Sequence, residues 1–233
     1  SIQSTVQTNS DAGFSIVRFT GTGSAGTVGH GLSKKLDWFM VKGLSNTDGW
    51  IVSHKALTSQ ATYSISLNNT NAESSSGGSN YWNSTAPTNS VFSLATDTAV
   101  NGSGRTYVAY CWHEVDGFSK FSNYKGRAID NFVYTGFAPQ FVMIKKYTGG
   151  TFGSGDSDWM IFDNKTDINK TPYRQYNRAN QSTAESYIAK QLLFSNGFML
   201  THVSNVVNAT SGTYIYMSFA EHPFANVSPV TAR

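Results

Sequence analysis

Three residue types capable of chemistry stand close together near position 112, where Cys111, His113 and Glu114 end one short aromatic run. A thiol and an imidazole can act as nucleophile and base when their side chains reach hydrogen-bond distance and a third group orients the base. Alternation along an extended strand puts Cys111 and His113 on one face, with backbones roughly 7 Å apart. We predict instead that Cys111 is a buried, unreactive thiol, because free cysteines pack as small apolar residues. We assign no catalytic residue here.

The same pattern occurs a second time, 107 positions later (207 − 100). Residues 100–118 read VNGSGRTYVAYCWHEVDGF, and residues 207–224 read VNATSGTYIYMSFAEHPF. Ser218 and Ala220 replace the cysteine and the histidine in the second copy, so the thiol–imidazole pair is not repeated. A turn that leads into an aromatic run, used twice, predicts a loop and strand in an internally duplicated all-β domain. The markers of this repeat are Asn101 with Asn208, Glu114 with Glu221, and Trp50 with Trp159.

The repeated glutamates are a second candidate for chemistry. Alternation puts Glu114 and Glu221 on the apparent core face of their strands. Glycosidases use two carboxylates at a defined separation, so a symmetry-related acid pair is one interpretation. The other is that each carboxylate binds backbone amides, or a lysine such as Lys42 or Lys145, and closes its half of the fold. Repetition in both halves favours the structural role.

Neither a cofactor nor a metal site is predicted. Residues 21–26 read GTGSAG and fit the GxGxxG spacing, but another turn follows them instead of the helix that a dinucleotide site needs. The aspartates between positions 156 and 167 lack the ligand order of an EF-hand. The histidines lack the spacing of zinc ligands, and a single cysteine cannot form an intrachain disulfide.

Aromatic residues in two long polar stretches are the binding candidates. The first stretch covers residues 68–90, and the second covers residues 166–187, with a short helix predicted near 177–185. Sugar faces stack on aromatic rings while amide and guanidinium groups bind the hydroxyls. The alternative is that Trp82 folds back as a lid over the core. The candidate ligand-binding residues are Tyr81, Trp82, Tyr173, Arg174 and Tyr176.

Composition argues against several classes of partner. Charged residues make up 13% of the chain and the net charge is +3 without a basic block, so nucleic-acid binding through phosphates is not expected. No apolar run approaches the roughly 20 residues that span a bilayer, so membrane insertion is not expected either. Aromatic residues, at 14%, supply the apolar surface of a folded chain.

The strand patterns predict one antiparallel two-sheet β-sandwich, jelly-roll or lectin-like, with halves related by a pseudo-twofold axis. The predicted domain covers residues 13–224, with half A at about 13–121 and half B at about 131–224. Residues 1–12 are predicted to be a lead-in from a longer protein, and residues 225–233 a C-terminal tail.

Several long segments in a fixed order resemble a domain of marine tailed phages, especially cyanophages. That domain occurs in virion proteins labelled as tail-fibre-like or structural. One departure is Leu36, where the family has a proline such as Pro139 of the second half. The resembling segments are GFSIVRFTGTGSAGTVGHGL, NSTAPTNSVFSL, TYVAYCWHEVDGFSKF, FVYTGFAPQFVMIKK, RANQSTAE and TYIYMSFAEHPF.

The resemblance implies a non-enzymatic structural module at the virion surface. Its leading implied function is that of the C-terminal domain of a tail fibre, which binds the host surface. The alternatives are a capsid-surface or decoration protein involved in virion assembly, and a glycan-cleaving tail enzyme. The implied partners are a host cell-surface glycan or protein, other virion proteins and further copies of the chain, in a trimer if it is a fibre. No cofactor is implied.

Overall fold

The computed structural model describes residues 1–127, 129–165, 173–189, 191–201 and 204–222, with side chains except at 76–79, 173–174 and 187–189. The described chain is built from antiparallel strands, with two short helices, α1 (Ser75–Trp82) and α2 (Thr98–Asn101). The prediction of an antiparallel all-β fold is confirmed. Aromatic and β-branched residues dominate the strands, as a pleated and half-buried surface requires.

The chain divides into two compact units. Unit 1 comprises Ser1–Asn68 and Glu73–Glu114, and unit 2 comprises Asn69–Ala72 and the chain from Val115 onward. The four residues Asn69–Ala72 thus belong to unit 2, although the chain on both sides of them belongs to unit 1. The division after Glu114 places the strand Ser119–Lys125 in unit 2, because it pairs there with the last strand of the described chain, Thr213–Ala220.

Unit 1 contains a larger and a smaller sheet. The larger sheet has the order β1-β2-β8-β4-β5-β6, and the smaller pairs β3 with β7. Val17 and Phe39 of the larger sheet form one buried cluster with Val28 and Phe92 of the smaller. The strands are β1 Ser4–Asn9, β2 Phe14–Thr20, β3 Gly26–Gly29, β4 Trp38–Gly43, β5 Ile51–His54, β6 Ile65–Ser66, β7 Val91–Leu94 and β8 Thr106–Trp112.

Unit 2 also contains a larger and a smaller sheet. The larger has the order β9-β17-β11-β12-β13-β14, and the smaller has the order β10-β16-β15. Val142 and Tyr214 of the larger sheet share a buried cluster with Val133 and Phe198 of the smaller. The strands are β9 Ser119–Lys125, β10 Asn131–Tyr134, β11 Pro139–Thr148, β12 Met160–Asp163, β13 Tyr173–Arg178, β14 Ser186–Ala189, β15 Gln191–Phe194, β16 Gly197–Leu200 and β17 Thr213–Ala220.

The two units share one strand order. In each unit, the strand that comes last in the described sequence lies between two earlier strands of the larger sheet. β8 lies between β2 and β4, and β17 lies between β9 and β11. The smaller sheets share a register too, since Val28 pairs with Phe92 as Val133 pairs with Phe198. We call residues at the same place in the two orders counterparts. The jelly-roll connectivity and the duplication itself stay predictions.

Both long polar stretches differ from the sequence-based expectation. The short helix predicted near residues 177–185 is wrong, because the chain there leaves β13, turns and returns as β14, with Gln175 opposite Tyr187. In the first stretch the helix α1 was not predicted, since two glycines and several serines give it no apolar periodicity. It ends at Asn83, which takes a left-handed conformation (φ 52°) that asparagine tolerates at a helix end.

Candidate functional site

The cysteine of the aromatic run is buried in the core of unit 1, as predicted. Cys111 lies on β8 with no exposed surface, and burial raises the pKa of its thiol. His113 lies just past the end of the strand, where its Nδ1 is 2.8 Å from the backbone oxygen of Glu114. A protonated thiol without access to solvent is not a nucleophile.

Glu114 closes its end of the larger sheet through an ion pair. Its Oε1 lies 2.7 Å from Lys55 Nζ, which is also 3.2 Å from Asp37 Oδ1. The backbone nitrogen of Glu114 donates to the other oxygen of Asp37 at 2.6 Å. One lysine therefore ties together the end of β8 and the residues that flank β4 and β5. The predicted lysine partner, Lys42, lies elsewhere and donates to backbone oxygens at residues 46 and 48.

Glu221, the counterpart of Glu114, also pairs with a lysine. Its Oε1 is 3.3 Å from the Nζ of Lys165, which follows β12 as Lys55 follows β5. The predicted partner Lys145 is instead fully buried and donates to backbone oxygens at Thr70 and elsewhere. Each glutamate thus has its own lysine in its own unit. This arrangement matches the structural interpretation of the repeated glutamates.

Asn101 and Asn208 brace counterpart turns from fully buried positions. The Oδ1 atom of Asn101 accepts a hydrogen bond from Thr22 N at 2.9 Å. Its Nδ2 donates, at 2.8 Å, to the carbonyl oxygen of the residue two positions after Thr22. The Oδ1 atom of Asn208 accepts a hydrogen bond from Arg127 N at 2.9 Å. Its Nδ2 donates, at 3.1 Å, to the carbonyl oxygen of the residue two positions after Arg127. The two asparagines therefore hold the loop that follows β2 in unit 1 and the loop that follows β9 in unit 2.

Trp82 is not available as an exposed stacking platform, which corrects its assignment as a ligand-binding candidate. Its side chain is 1% exposed at the end of α1, and its ring meets Phe39 edge-on at 4.7 Å. The indole nitrogen donates to Tyr63 O at 3.2 Å. The neighbouring Tyr81 is half-buried and packs against the same core. The alternative interpretation, a lid that anchors the polar stretch, describes Trp82 correctly.

Tyr176 is corrected in the same way. It is 6% exposed and lies in the core of unit 2, with its ring 6.3 Å from that of Phe162. Its hydroxyl accepts from the guanidinium of Arg178 at 2.9 Å. Tyr173 and Arg174 lie on β13, but their side chains are outside the described residues.

The tryptophan markers differ in burial. Trp159 is fully buried, whereas Trp50 is half-buried and stacks on Tyr110 with centroids 5.9 Å apart. The backbone nitrogen of each is bound by an asparagine side chain, from Asn68 at 3.0 Å and from Asn180 at 2.8 Å. The repeated feature is thus this backbone contact, with ring burial differing between the units.

The aspartates near position 158 are engaged with protein groups. Asp158 is fully buried and accepts from Asn180 Nδ2 and Gln181 Nε2, each at 2.8 Å. Arg178 Nε lies 3.3 Å from its second oxygen. In the part of the chain that the structure describes, no three or more His, Cys, Asp and Glu side chains are placed to hold a metal ion.

Exposed apolar side chains gather on one face of the smaller sheet of unit 2. Phe132 and Tyr134 of β10 are 46% and 64% exposed, and Leu192 and Phe194 of β15 are 36% and 40% exposed. Met199 of the central strand lies directly between Phe132 and Leu192. We call these five residues the aromatic face. The surface that these five side chains expose is apolar except for the hydroxyl of Tyr134.

Sequence reasoning missed the aromatic face because it looked for binding aromatics in loops. The signal was present in NFVYTG, where alternation sets Phe132 and Tyr134 on the face opposite Val133. Val133 is buried at 6% exposure, so the other face of that strand points away from the core.

Neither helix among the described residues has the length and apolar character to cross a membrane. No curated protein is detectably similar to this chain. A solved structure described as "Crystal Structure of the STIV MCP" is 9% identical over 98% of this chain and 97% of its own, with a TM-score of 0.26. A score this low supports no conclusion about fold or function. One family matches residues 1–223, and the chain therefore belongs to DUF7483, a domain of unknown function.

Proposed function

We propose that this chain is a non-enzymatic structural module of a tailed-phage virion that acts by binding, as the C-terminal host-contacting domain of a tail fibre. The resemblance of its long segments to marine-phage virion domains supports the setting. The observation that carries the binding role is the aromatic face, where Phe132, Tyr134 and Phe194 keep 40–64% of their surface exposed. A soluble fold gains nothing from such exposure, and apolar patches of this kind mark interaction sites.

The state of the candidate catalytic groups supports binding over catalysis. A glycan-cleaving enzyme needs two carboxylates that face one substrate, one of them able to donate a proton. Glu114 instead shares the ammonium of Lys55 with Asp37, and Glu221 lies beside Lys165. The thiol of Cys111 is fully buried. In the described arrangement, both carboxylates are therefore paired with lysines and the thiol is buried.

A second candidate function is virion assembly, as a capsid-surface or decoration protein. The chemistry of the aromatic face favours it, because four of its five side chains have no hydrogen-bonding N–H or O–H group. Sites for host glycans combine aromatic rings with amide or charged groups that bind hydroxyls. A face with one hydroxyl, that of Tyr134, is better suited to another protein surface.

Immunoelectron microscopy separates these functions. Antibodies raised against the purified chain are applied to virions of the phage that encodes it, with pre-immune serum as the control. We expect gold label at the distal end of the tail. Label over the capsid would assign the chain to decoration, and unlabelled, antibody-accessible virions would overturn the virion proposal.

Two solution assays complete the test. Fluorescently labelled chain is mixed with intact host cells and with purified capsids, and we expect retention on cells only. Host polysaccharide is then incubated with the chain and with Glu114→Gln. Release of reducing ends by the natural chain but not by the variant would overturn the non-enzymatic assignment.

A further inference from the structure

His30 connects three parts of unit 1 from a fully buried position. It follows β3, and its backbone nitrogen donates to Ser90 O, just before β7, at 3.1 Å. Its backbone oxygen accepts from the hydroxyl of Ser15, on β2 of the larger sheet, at 2.6 Å. The residue therefore ties the end of β3 both to the segment that enters β7 and to the larger sheet.

The ring of His30 is held in one protonation state by its two contacts. Its Nδ1 accepts from the backbone nitrogen of Leu32 at 3.2 Å, so Nδ1 carries no proton. The proton of the neutral ring is then on Nε2, which lies 3.3 Å from Thr88 O. A second proton would go to Nδ1 and would face the N–H of Leu32, so that two donors oppose each other. Protonation of the ring therefore breaks the hydrogen bond that closes the turn over residues 30–32.

The polar and titratable groups that face His30 are neutral or, like it, become positive in acid. Ser15 of β2 and Thr88, before β7, are uncharged. Cys111 of β8 contacts the Ser15 hydroxyl, and burial raises the pKa of its thiol, so the thiol stays neutral. His113, past the end of β8, adds a positive charge when it is protonated. Burial lowers the pKa of His30, the hydrogen bond to Thr88 opposes this, and the charge of His113 lowers it further.

The counterpart turn of unit 2 has the same pattern of hydrogen bonds with a hydroxyl in place of the imidazole. Thr135 stands where His30 does, two residues after the inward valine of its strand, and its nitrogen donates to Asn196 O at 3.0 Å. The nitrogen of Phe137, the counterpart of Leu32, donates to the Thr135 hydroxyl oxygen at 3.5 Å. The same turn is therefore closed by a titratable side chain in unit 1 and by a neutral one in unit 2. The fold does not require a histidine at this position.

We propose that His30 is an acid-sensitive latch in unit 1, whose protonation opens the turn over residues 30–32 and frees the end of β3 from the segment before β7. A proton from solvent binds Nδ1, the hydrogen bond from Leu32 N breaks, and the new Nδ1–H needs an acceptor that the closed turn does not supply. Water supplies this acceptor once the turn is open. Unit 1 thus responds to acid at a position where unit 2 has a hydroxyl that does not titrate. The latch is independent of where in a virion the chain resides.

The pH range of the latch follows from the open and closed states of the turn. An exposed histidine has a pKa of about 6.5, and burial makes the pKa of His30 in the closed turn lower than this. Below about pH 6.5 the open turn therefore binds a proton that the closed turn excludes, so the closed turn loses stability as the pH falls. Above that pH both states are neutral, and the closed turn keeps its full stability.

Amide hydrogen exchange of the whole chain, followed by NMR at about pH 7.5 and about pH 5, tests the latch residue by residue. The protection of each amide is corrected for its intrinsic exchange rate at each pH. We expect the protection of the Leu32 amide to fall about tenfold between these pH values, as for an opening coupled to one protonation. The amides of Phe137, in the counterpart turn, and Val17, on β2 between two other strands of the larger sheet, are the internal controls and should keep their protection.

His30→Thr installs the counterpart residue and should make the protection of the Leu32 amide independent of pH. Circular dichroism checks that this variant is folded; if it is not, the NMR titration of the His30 ring in the natural chain decides instead. Unchanged protection of Leu32 at about pH 5, an equal fall at either control amide, or a fall that persists in folded His30→Thr would each overturn the latch. A His30 ring that titrates at or above about pH 6.5 would overturn it as well.

Discussion

Tyr107 and Tyr214 hold counterpart turns through the same pair of hydrogen bonds. Each hydroxyl accepts from the backbone nitrogen five residues earlier, at 2.7 Å for Tyr107 and 2.9 Å for Tyr214. Each donates to the carbonyl oxygen nine residues earlier, at 2.6 Å and 2.9 Å. Burial raises the pKa of Tyr107 and raises that of Tyr214 to about 12, so both hydroxyls keep the proton that they donate.

Replacing either tyrosine by phenylalanine should destabilise the protein. The change keeps the buried ring but leaves a buried backbone N–H, that of Gly102 or of Ala209, without its acceptor. Such a loss costs about 1–3 kcal/mol for a buried group. We expect Tyr107→Phe and Tyr214→Phe each to lower the free energy of unfolding in urea by that amount. Tyr134→Phe, at a 64% exposed position, is the control. Equal stability of all three variants would contradict the assigned role.

Two counterpart glycines should not tolerate a side chain. A side-chain carbon added at Gly21 would collide with the backbone oxygen of Gly102, and one added at Gly126 would collide with that of Ala209. Because backbone must move to relieve either clash, Gly21→Ala and Gly126→Ala should each cost at least ~2 kcal/mol in thermal or urea unfolding. Gly29→Ala is the control, since its added carbon has nothing closer than 3.9 Å. If Gly21→Ala and Gly126→Ala unfolded with the same free energy as the natural chain, these turns would not be tight.

Replacing Trp82 by alanine should lower the stability of the protein. Removing a large side chain that is 1% exposed leaves a cavity, and such changes typically cost about 3–5 kcal/mol. We expect a lower midpoint of urea unfolding, with host-cell binding reduced only in proportion to the unfolded fraction. The half-buried Trp50→Ala is the comparison and should lose less. If Trp82→Ala kept full stability but lost host-cell binding, a ligand-contact role for this ring would be restored.

Lys145 is a buried cation without a carboxylate in direct contact among its described partners. Its Nζ donates to the backbone oxygens of Thr70 at 3.2 Å, Asn71 at 3.1 Å and Lys146 at 2.8 Å. Burial, together with the charge of Lys146, lowers the pKa of Lys145 to about 7, while the charge of Asp158 opposes this. The folded protein therefore favours the neutral amine above this pH.

Stability should rise with pH across the window that Lys145 sets. An unfolded lysine has a pKa near ~10.4, so between pH about 7 and about 10 the unfolded chain holds a proton that the folded chain has released. The free energy of unfolding then increases by up to ~1.4 kcal/mol for each pH unit. Lys145→Met should reduce this slope, leaving the part that comes from Lys146, whose pKa burial also lowers. Lys42→Met, at the partly exposed counterpart position, should leave the slope unchanged. Urea unfolding at a series of pH values measures both, and an unchanged slope in Lys145→Met would refute the assignment.

The sequence was informative where a strand has one buried face. The strand patterns predicted an antiparallel all-β fold, and the structure pairs β4 with β5 and β11 with β12 in antiparallel fashion. The partners of single polar side chains were harder to predict, because alternation along a strand does not show which group a polar side chain will contact. Glu114 was expected to use a lysine such as Lys42, yet the lysine that follows β5 is closer once the strand ends meet.

The binding residues were the least predictable part. A tryptophan in a polar stretch looks the same in sequence whether it is a lid or a platform, and only the packing of Trp82 on Phe39 decides between them. Conversely, the sequence around Phe132 and Tyr134 does not show that these side chains are 46% and 64% exposed. Composition and periodicity do not show which face of a short strand meets solvent.

The place of the last strand in each unit also governs the order in which the chain can fold. Because β8 lies between β2 and β4, the larger sheet of unit 1 has a gap between these two strands until residues 106–112 have been synthesised. Unit 2 has the same gap until β17 is made, close to the end of the described chain. Each unit is thus completed by insertion of its final strand, and a nascent chain on the ribosome closes its two sheets in two separate late steps.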